Sequence, residues 1–526
     1  MGKEGQTQRR GAVACGHPAT AAAADEILAE GGNAFDAVLA AFCAACAAEP
    51  VLASLGGGGF LLAQPAGREP LLYDFFVQTP KQRPDPGALD FYPILADFGT
   101  ATQEFHIGVG AVAVPGAVGG LFAIHDDLAS LPMARIIEPA TRLAREGVEL
   151  RSIDGYLFDV VSHILKATPE ARSLFLNDDG RLLAPGERLR QPLLADSLEA
   201  LAAEGARLFY EGDFAQRLVR LCRESGGLLG EADLAEYQVQ RRKPFVCDYR
   251  GHRVMTNPPP SCGGILIAFA LALLAETAPA QGGPGTVEDL RLLARVMDLT
   301  NKARIEARLA EGADLAAERL FDPALLQRYQ EEVSGHAGFS RGTTHISVVD
   351  GDGNLAAMSL SNGEGCGTLL PGCGIMMNNM LGEEDLNHGG FHRWPEDSRL
   401  SSMMAPSLAT SAEGALFAIG SGGSNRIRTA VLQVLRNLLD HRMEMAAATE
   451  APRLHVEGEI ANLEGGLSEA AAAALEQQGY RTIAWPRHNL FFGGVHGVAL
   501  SAQGVLSAAG DPRRGGAALV RSAKDA

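Results

Sequence analysis

The chain has 526 residues, 46% hydrophobic and 21% charged, with a formal net charge of −18 at pH 7. Such a length can bury a large core with an ordinary globular composition, and the acidic excess argues against nucleic acid, whose phosphates it repels. No run reaches ~18 uninterrupted apolar residues, so no transmembrane helix is expected, and the opening MGKEGQTQRRGAVACGHPAT has no apolar core of a secretory signal.

Eight cysteines (Cys15, Cys43, Cys46, Cys222, Cys247, Cys262, Cys366 and Cys373) in so long a chain do not make a disulfide framework. A reduced, cytoplasmic protein is the expectation. Residues 18–48 read as one or two helices, with Gly31-Gly32-Asn33 as stop and restart. Cys43-Ala-Ala-Cys46 has redox spacing but lies in this alanine-rich helix, where buried packing is expected. A glycine run then feeds an apolar strand (LGGGGFLLAQ), and EPLLYDFFVQTP forms another that stops at Pro80. No helix start follows the glycines and no lysine is near, so they suit a site-lining or structural loop better than a phosphate cradle.

From about 116 to 240 the pattern is mostly helical. The stretch KPFVCDYRGHRVMTN is strand-like and closes at three prolines; GGILIAFALALLAE is a strongly apolar helix, and helical signal continues to about 333. Residues 334–342, SGHAGFSRG, read as an exposed linker of a type that tolerates scission. Next, THISVVD and NLAAMSLS alternate about Gly351-Asp352-Gly353, a hairpin signal. Short strands follow at GIMMNN, SLATS, ALFAIGS and GVHGVALSAQGVLSAAGD, with helices at IRTAVLQVLRNLLD and SEAAAALEQQGY. The whole reads as one α/β body, a helical two-thirds fused to a strand-rich third.

A hydroxyl nucleophile needs a base within hydrogen-bond reach. No G-x-S-x-G elbow between a strand and a helix is present, the GFSRG match at 338–342 lying in the linker, and H-E-x-x-H and paired Cys/His spacings are absent, so neither a serine-hydrolase elbow nor a metal centre is expected. A free α-amino group, pKa ~7.7–8.0, can serve as that base when the nucleophile is the first residue of a chain. Gly342-Thr343 suits such a cut, since Gly342 adds no side chain to crowd its carbonyl. The turn Gly420-Ser421-Gly422-Gly423, between a strand ending at Ile419 and a helix, can aim backbone N–H groups at an oxyanion. An ordinary strand-to-helix turn fits that segment equally well.

Taken together, GHPATAAAADEILAEGGNAFDAVLAA, EPVLASLGGGGFLL, VPGAVGGL, EPATRLAREG, DYRGHRVMTNPPPSCGG, TTHISVVDGDGN, RLSSMMAPS, GSGGSNRI and SAAGDPR resemble, in order, the γ-glutamyltranspeptidase family of N-terminal-nucleophile hydrolases. The resemblance implies an αββα sandwich, made as one precursor and cut at Gly342–Thr343 into a large subunit 1–342 and a small subunit 343–526. It implies a small amide or γ-glutamyl-like substrate and no cofactor, with a homodimer as one option. Thr343 would be the nucleophile of both self-cleavage and catalysis, and Ser361 its supporting hydroxyl. Gly422 and Gly423 match the oxyanion turn, or the pair aligns one residue on as Gly423-Ser424. Ser401 and Ser402 match the serines that hold the donor's carboxylate.

Departures fall on the donor clamp. Phe76 stands where the family has an arginine for the α-carboxylate; Gly363 replaces an asparagine, with Asn362 beside it. In Asn378-Asn379-Met380-Leu381-Gly382-Glu383 a glutamine is lost and Glu383 replaces an aspartate. A lost bidentate arginine is not easily replaced. The expected enzyme is therefore a self-processing amidohydrolase or acyltransferase with altered donor specificity, using apolar or aromatic contacts near Phe75 and Phe76. The alternative is an uncut, silent homologue acting as a binding or scaffold protein.

Overall fold

The computed structural model describes residues 10–83, 86–97, 102–280, 282–307, 319–322, 325–326, 329, 343–387 and 390–522. The expected linker 334–342, and with it Gly342, lies outside them.

Two antiparallel sheets stack face to face with helices on both outer sides. The first has seven strands in the order Ala517–Arg521, Gly11–Cys15, Thr344–Asp350, Leu355–Ser361, Gly58–Gln64, Leu71–Phe75 and Gln240–Arg242. The second has six, in the order Leu506–Ala509, Gly494–Leu500, Leu416–Gly422, Ser407–Thr410, His252–Thr256 and Phe245–Tyr249. The alternation of side chains along each strand divides the core. Ile346, Val348, Ala356, Met358 and Leu61 face the helices Pro18–Ala29 and Ala34–Ala48. Val349, Ala357, Phe60 and Leu62 face Ala418, Val498 and Leu408 of the second sheet. The helices Gly263–Ala275, Val287–Glu306 and Asn425–Leu439 cover its far side. This is the αββα sandwich.

The local chemistry explains the elements that set the site. Gly31 adopts φ 91° to end the first helix, and the Asn33 side chain accepts from the N–H groups of Phe35 and Asp36 to start the next. Asp350 shapes the hairpin turn: its carboxylate accepts from the N–H groups of Asp352 and Asn354, and from that of Ala34 at the start of the second helix. Cys43 and Cys46 are free thiols packed inside that helix. No helix among the described residues is long and apolar enough to cross a membrane.

Candidate active site

Thr343 immediately precedes the strand Thr344–Asp350 and is 4% exposed. The antiparallel register sets Thr344 opposite Leu360, which carries Ser361 to the level of Thr343. Consecutive strand residues point to opposite faces, and the two threonines differ accordingly. The Thr344 hydroxyl faces the helical layer and donates to Glu49 Oε2 at 2.8 Å, while Thr20 donates to Glu49 Oε1 at 3.1 Å. Burial raises the Glu49 pKa, and these two hydroxyls oppose the rise. Thr343 faces the other way, toward the second sheet.

What meets it there is the glycine turn. A Cβ on Gly422 would sit 1.8 Å from the Thr343 carbonyl oxygen, so only glycine fits. Arg514 Nη1 approaches the same carbonyl at 3.4 Å, and desolvation of the half-buried side chain lowers its pKa. The strand runs through Gly422 rather than stopping at Ile419, because Gly420 to Gly422 stay paired with His496 to Gly494. The glycines are needed for closeness: a Cβ on Gly420 would strike the His345 ring at 2.3 Å. Only then does the chain turn, through Gly423 at φ 122° and Ser424 at φ 48°, into the helix Asn425–Leu439.

The glycine run of residues 56–59 floors the space beside Ser361. A Cβ on Gly57 would lie 2.3 Å from the Ser361 carbonyl oxygen, and one on Gly58 2.8 Å from that of Phe75. Asn362 is fully buried, and its side-chain oxygen and nitrogen have no hydrogen-bond partner among the described residues. Gly363, at φ 64°, leaves its Cβ space to Asn379 Oδ1 and Glu383 Oε1. Ser401 and Ser402 are held at the start of the helix Gly263–Ala275. The Ser402 carbonyl accepts from the Cys262 N–H at 2.8 Å, and Ser401 Oγ meets Cys262 Sγ at 3.1 Å.

Phe76 lies differently from the expectation of a substrate contact. Its ring is 1% exposed and stacks on Phe60 at 5.4 Å, while Phe75 packs on Phe42 toward the helices. Both rings are apolar enough that closing the sandwich buries them completely. An arginine does come close, from another segment: Arg399. It donates to the Phe76 carbonyl, to Tyr237 Oη at 2.7 Å and to the Gln238 carbonyl at 2.7 Å, with Nε 3.3 Å from Asp74. Both terminal guanidinium nitrogens therefore donate to protein atoms, while Nε only ion-pairs with Asp74, and it braces the segment instead of presenting a fork.

Sequence reasoning missed Glu49, Arg514, Arg399 and Cys262. Glu49, Arg399 and Cys262 sit in quoted blocks, EPVLASLGGGG, RLSSMMAPS and PPPSCGG, but nothing in a linear string reports that Glu49 reaches a residue 295 positions away. Among the described residues no group of three or more His, Cys, Asp or Glu could hold a metal ion.

The γ-glutamyltranspeptidase model matches residues 20–521. The chain belongs to the γ-glutamyltranspeptidase family. It is 32% identical to an acylase ACY 1 proenzyme of Pseudomonas sp. (strain V22), covering 96% of this chain and 93% of that protein. It is 29% identical to the glutathione hydrolase proenzyme of Escherichia coli (strain K12), covering 93% and 88%. Its fold is similar to that of a cephalosporin acylase from Bacillus halodurans, with TM-score 0.83, 23% identity and coverage of 97% and 96%. As a γ-glutamyltranspeptidase-family chain with proenzyme relatives, it is a self-processing amidohydrolase or acyltransferase, and a silent scaffold is not favoured.

Proposed function

We propose that the chain cuts itself between Gly342 and Thr343 and that the new N-terminal threonine carries the chemistry. In self-cleavage the Thr343 hydroxyl attacks the Gly342 carbonyl, the acyl group moves from nitrogen to oxygen, and water hydrolyses the ester. In turnover the freed α-amine takes the hydroxyl proton while Oγ attacks the substrate amide. The leaving amine departs with a proton, and water or an acceptor amine resolves the threonyl ester. Ser361 supports the nucleophile, and the N–H groups of the turn at Gly422-Gly423, or Gly423-Ser424, receive the oxyanion. The carrying observation is the fit of Gly422 against the Thr343 carbonyl, which leaves no room even for a methyl group.

The donor is an acyl group other than γ-glutamyl, held among Asn362, Glu383, Ser401 and Ser402. Supporting this, Phe76 occupies the arginine's place and both terminal nitrogens of the nearby Arg399 already donate to protein atoms.

Denaturing electrophoresis with mass spectrometry tests the first part. Two chains are expected, the smaller beginning at Thr343, whereas Thr343→Ala stays whole and inactive; a parent chain that never cuts sinks the reading. For the donor, release of p-nitroaniline from acetyl, phenylacetyl and γ-glutamyl anilides is compared, and a clear γ-glutamyl preference refutes the altered clamp.

A further inference from the structure

Four aromatic rings from three separate segments converge beside the donor side of the site. Phe91 stacks on His106 with centroids 4.6 Å apart; Phe391 lies 5.3 Å from Phe91 and 4.4 Å from His106; His392 meets Phe91 edge-on at 4.5 Å. None belongs to the main hydrophobic clusters, and all four are only half-buried. The cluster therefore keeps ring surface outside the core, unlike Phe75 and Phe76.

Its place in the fold ties it to the site. His106 is the last residue but one of the strand Thr102–Ile107, and its carbonyl accepts from Asn379 Nδ2 at 3.3 Å. A Cβ on Gly382 would lie 2.1 Å from that same carbonyl, so the turn Met380–Gly382 is pressed directly against His106. The next residue, Glu383, reaches Gly363, two positions past Ser361. One turn of chain therefore separates the rings from the donor-side carboxylate. His106 Nδ1 and His392 Nδ1 are buried with no hydrogen-bond partner among the described residues; the nearest carboxylate to the former, Glu104, is 3.9 Å away. Burial lowers both histidine pKa values, with Glu104 opposing at His106 and His106 adding to the effect at His392. Neutral imidazoles and phenyl rings make a surface suited to an uncharged aromatic group, with two ring nitrogens able to meet a polar substituent.

We propose that Phe91, His106, Phe391 and His392 form the subsite for the acyl group's far end, and that the preferred donor is an aryl-acyl amide of the phenylacetyl type. The inference rests on the altered-donor reading and adds its ring-binding wall. An aryl group packed against the ring surface that the half-buried quartet leaves exposed replaces water there. Edge and face contacts with the two imidazoles set its orientation.

Two measurements test it on the full-length, self-processed protein. In kinetics, Phe391→Ala and Phe91→Ala lower the phenylacetyl-to-acetyl ratio of kcat/KM about tenfold, mainly through KM, as expected for the loss of one aromatic contact. Phe391→Leu, which keeps volume without a π-face, guards against a folding defect and lowers the ratio in the same direction. In calorimetry, phenylacetate binds the parent and its affinity falls in the same variants. An unchanged ratio, or a parent that binds phenylacetate no better than acetate, overturns the subsite. If phenylacetate binding depends on the rings while γ-glutamyl anilide remains the best donor, the subsite stands and the altered-donor reading falls.

Discussion

At the scale of single residues, Gly422 is the position where a methyl group does most harm. Its Cβ would lie 1.8 Å from the Thr343 carbonyl oxygen, so Gly422→Ala must push either the nucleophile's strand or the turn aside. A displacement near 1 Å at a reacting group can cost ~100-fold in rate. Gly422→Ala is expected to slow self-cleavage by about that factor while far-ultraviolet circular dichroism stays native; cutting at the parent rate would show that the contact is irrelevant. Thr343, Ser361 and the glycine turn, the machinery proposed above, could be named from the sequence because each sits in a block that resembles the family's. Phe76 was legible only as a missing arginine. Its burial against Phe60, and the diversion of Arg399 to Asp74 and Tyr237, depend on segments brought together by folding. The same holds for Glu49 and Arg514, whose partners, Thr344 and Thr343, are 295 and 171 residues distant.

At the scale of elements, the break between the helices Pro18–Ala29 and Ala34–Ala48 was readable from Gly31-Gly32-Asn33, since a left-handed glycine and an asparagine cap are local demands. Asn33 also donates from Nδ2 to the Leu128 carbonyl, and Asp36 accepts from the Ser130 and Leu131 N–H groups. Asn33→Ala is expected to lower unfolding free energy by about 0.5–2 kcal/mol, read from urea denaturation; no change would mean water replaces the cap fully. The strand at Leu416–Gly422 was legible in part. Glycine carries no strand propensity, so the last residues looked like a turn, yet their pairing with His496 to Gly494 and the need to lie flat on His345 keep them extended. The aromatic quartet had no linear signal, because its rings come from residues 91, 106 and 391–392.

Across the whole molecule, buried neutral histidines set the response to acid. Burial pushes His496 and His455 down to about 4 from an ordinary 6.5, and His17 likewise, while His345 is lowered well below its ordinary value between Ser359 and Ser347. The unfolded chain takes up protons below pH 6.5 and the folded one does so only near 4, so stability is full above 6.5 and is lost as pH falls through that window. A loss on the order of a few kcal/mol between pH 6.5 and 4.5 is expected from urea midpoints; a flat profile would mean these rings are protonated in the folded state. The order of the first sheet carries a different consequence. Gly11–Cys15 lies between Thr344–Asp350 and Ala517–Arg521, so this strand has no neighbour until residue 344 is made and lacks its second until residue 517. At ~5–20 residues per second it waits on the order of 15–70 s for the first and longer for the second. During synthesis the alanine-rich helices that follow it have no complete sheet to cover them, so a ribosome stalled anywhere short of the last strand holds a sticky, unfinished chain.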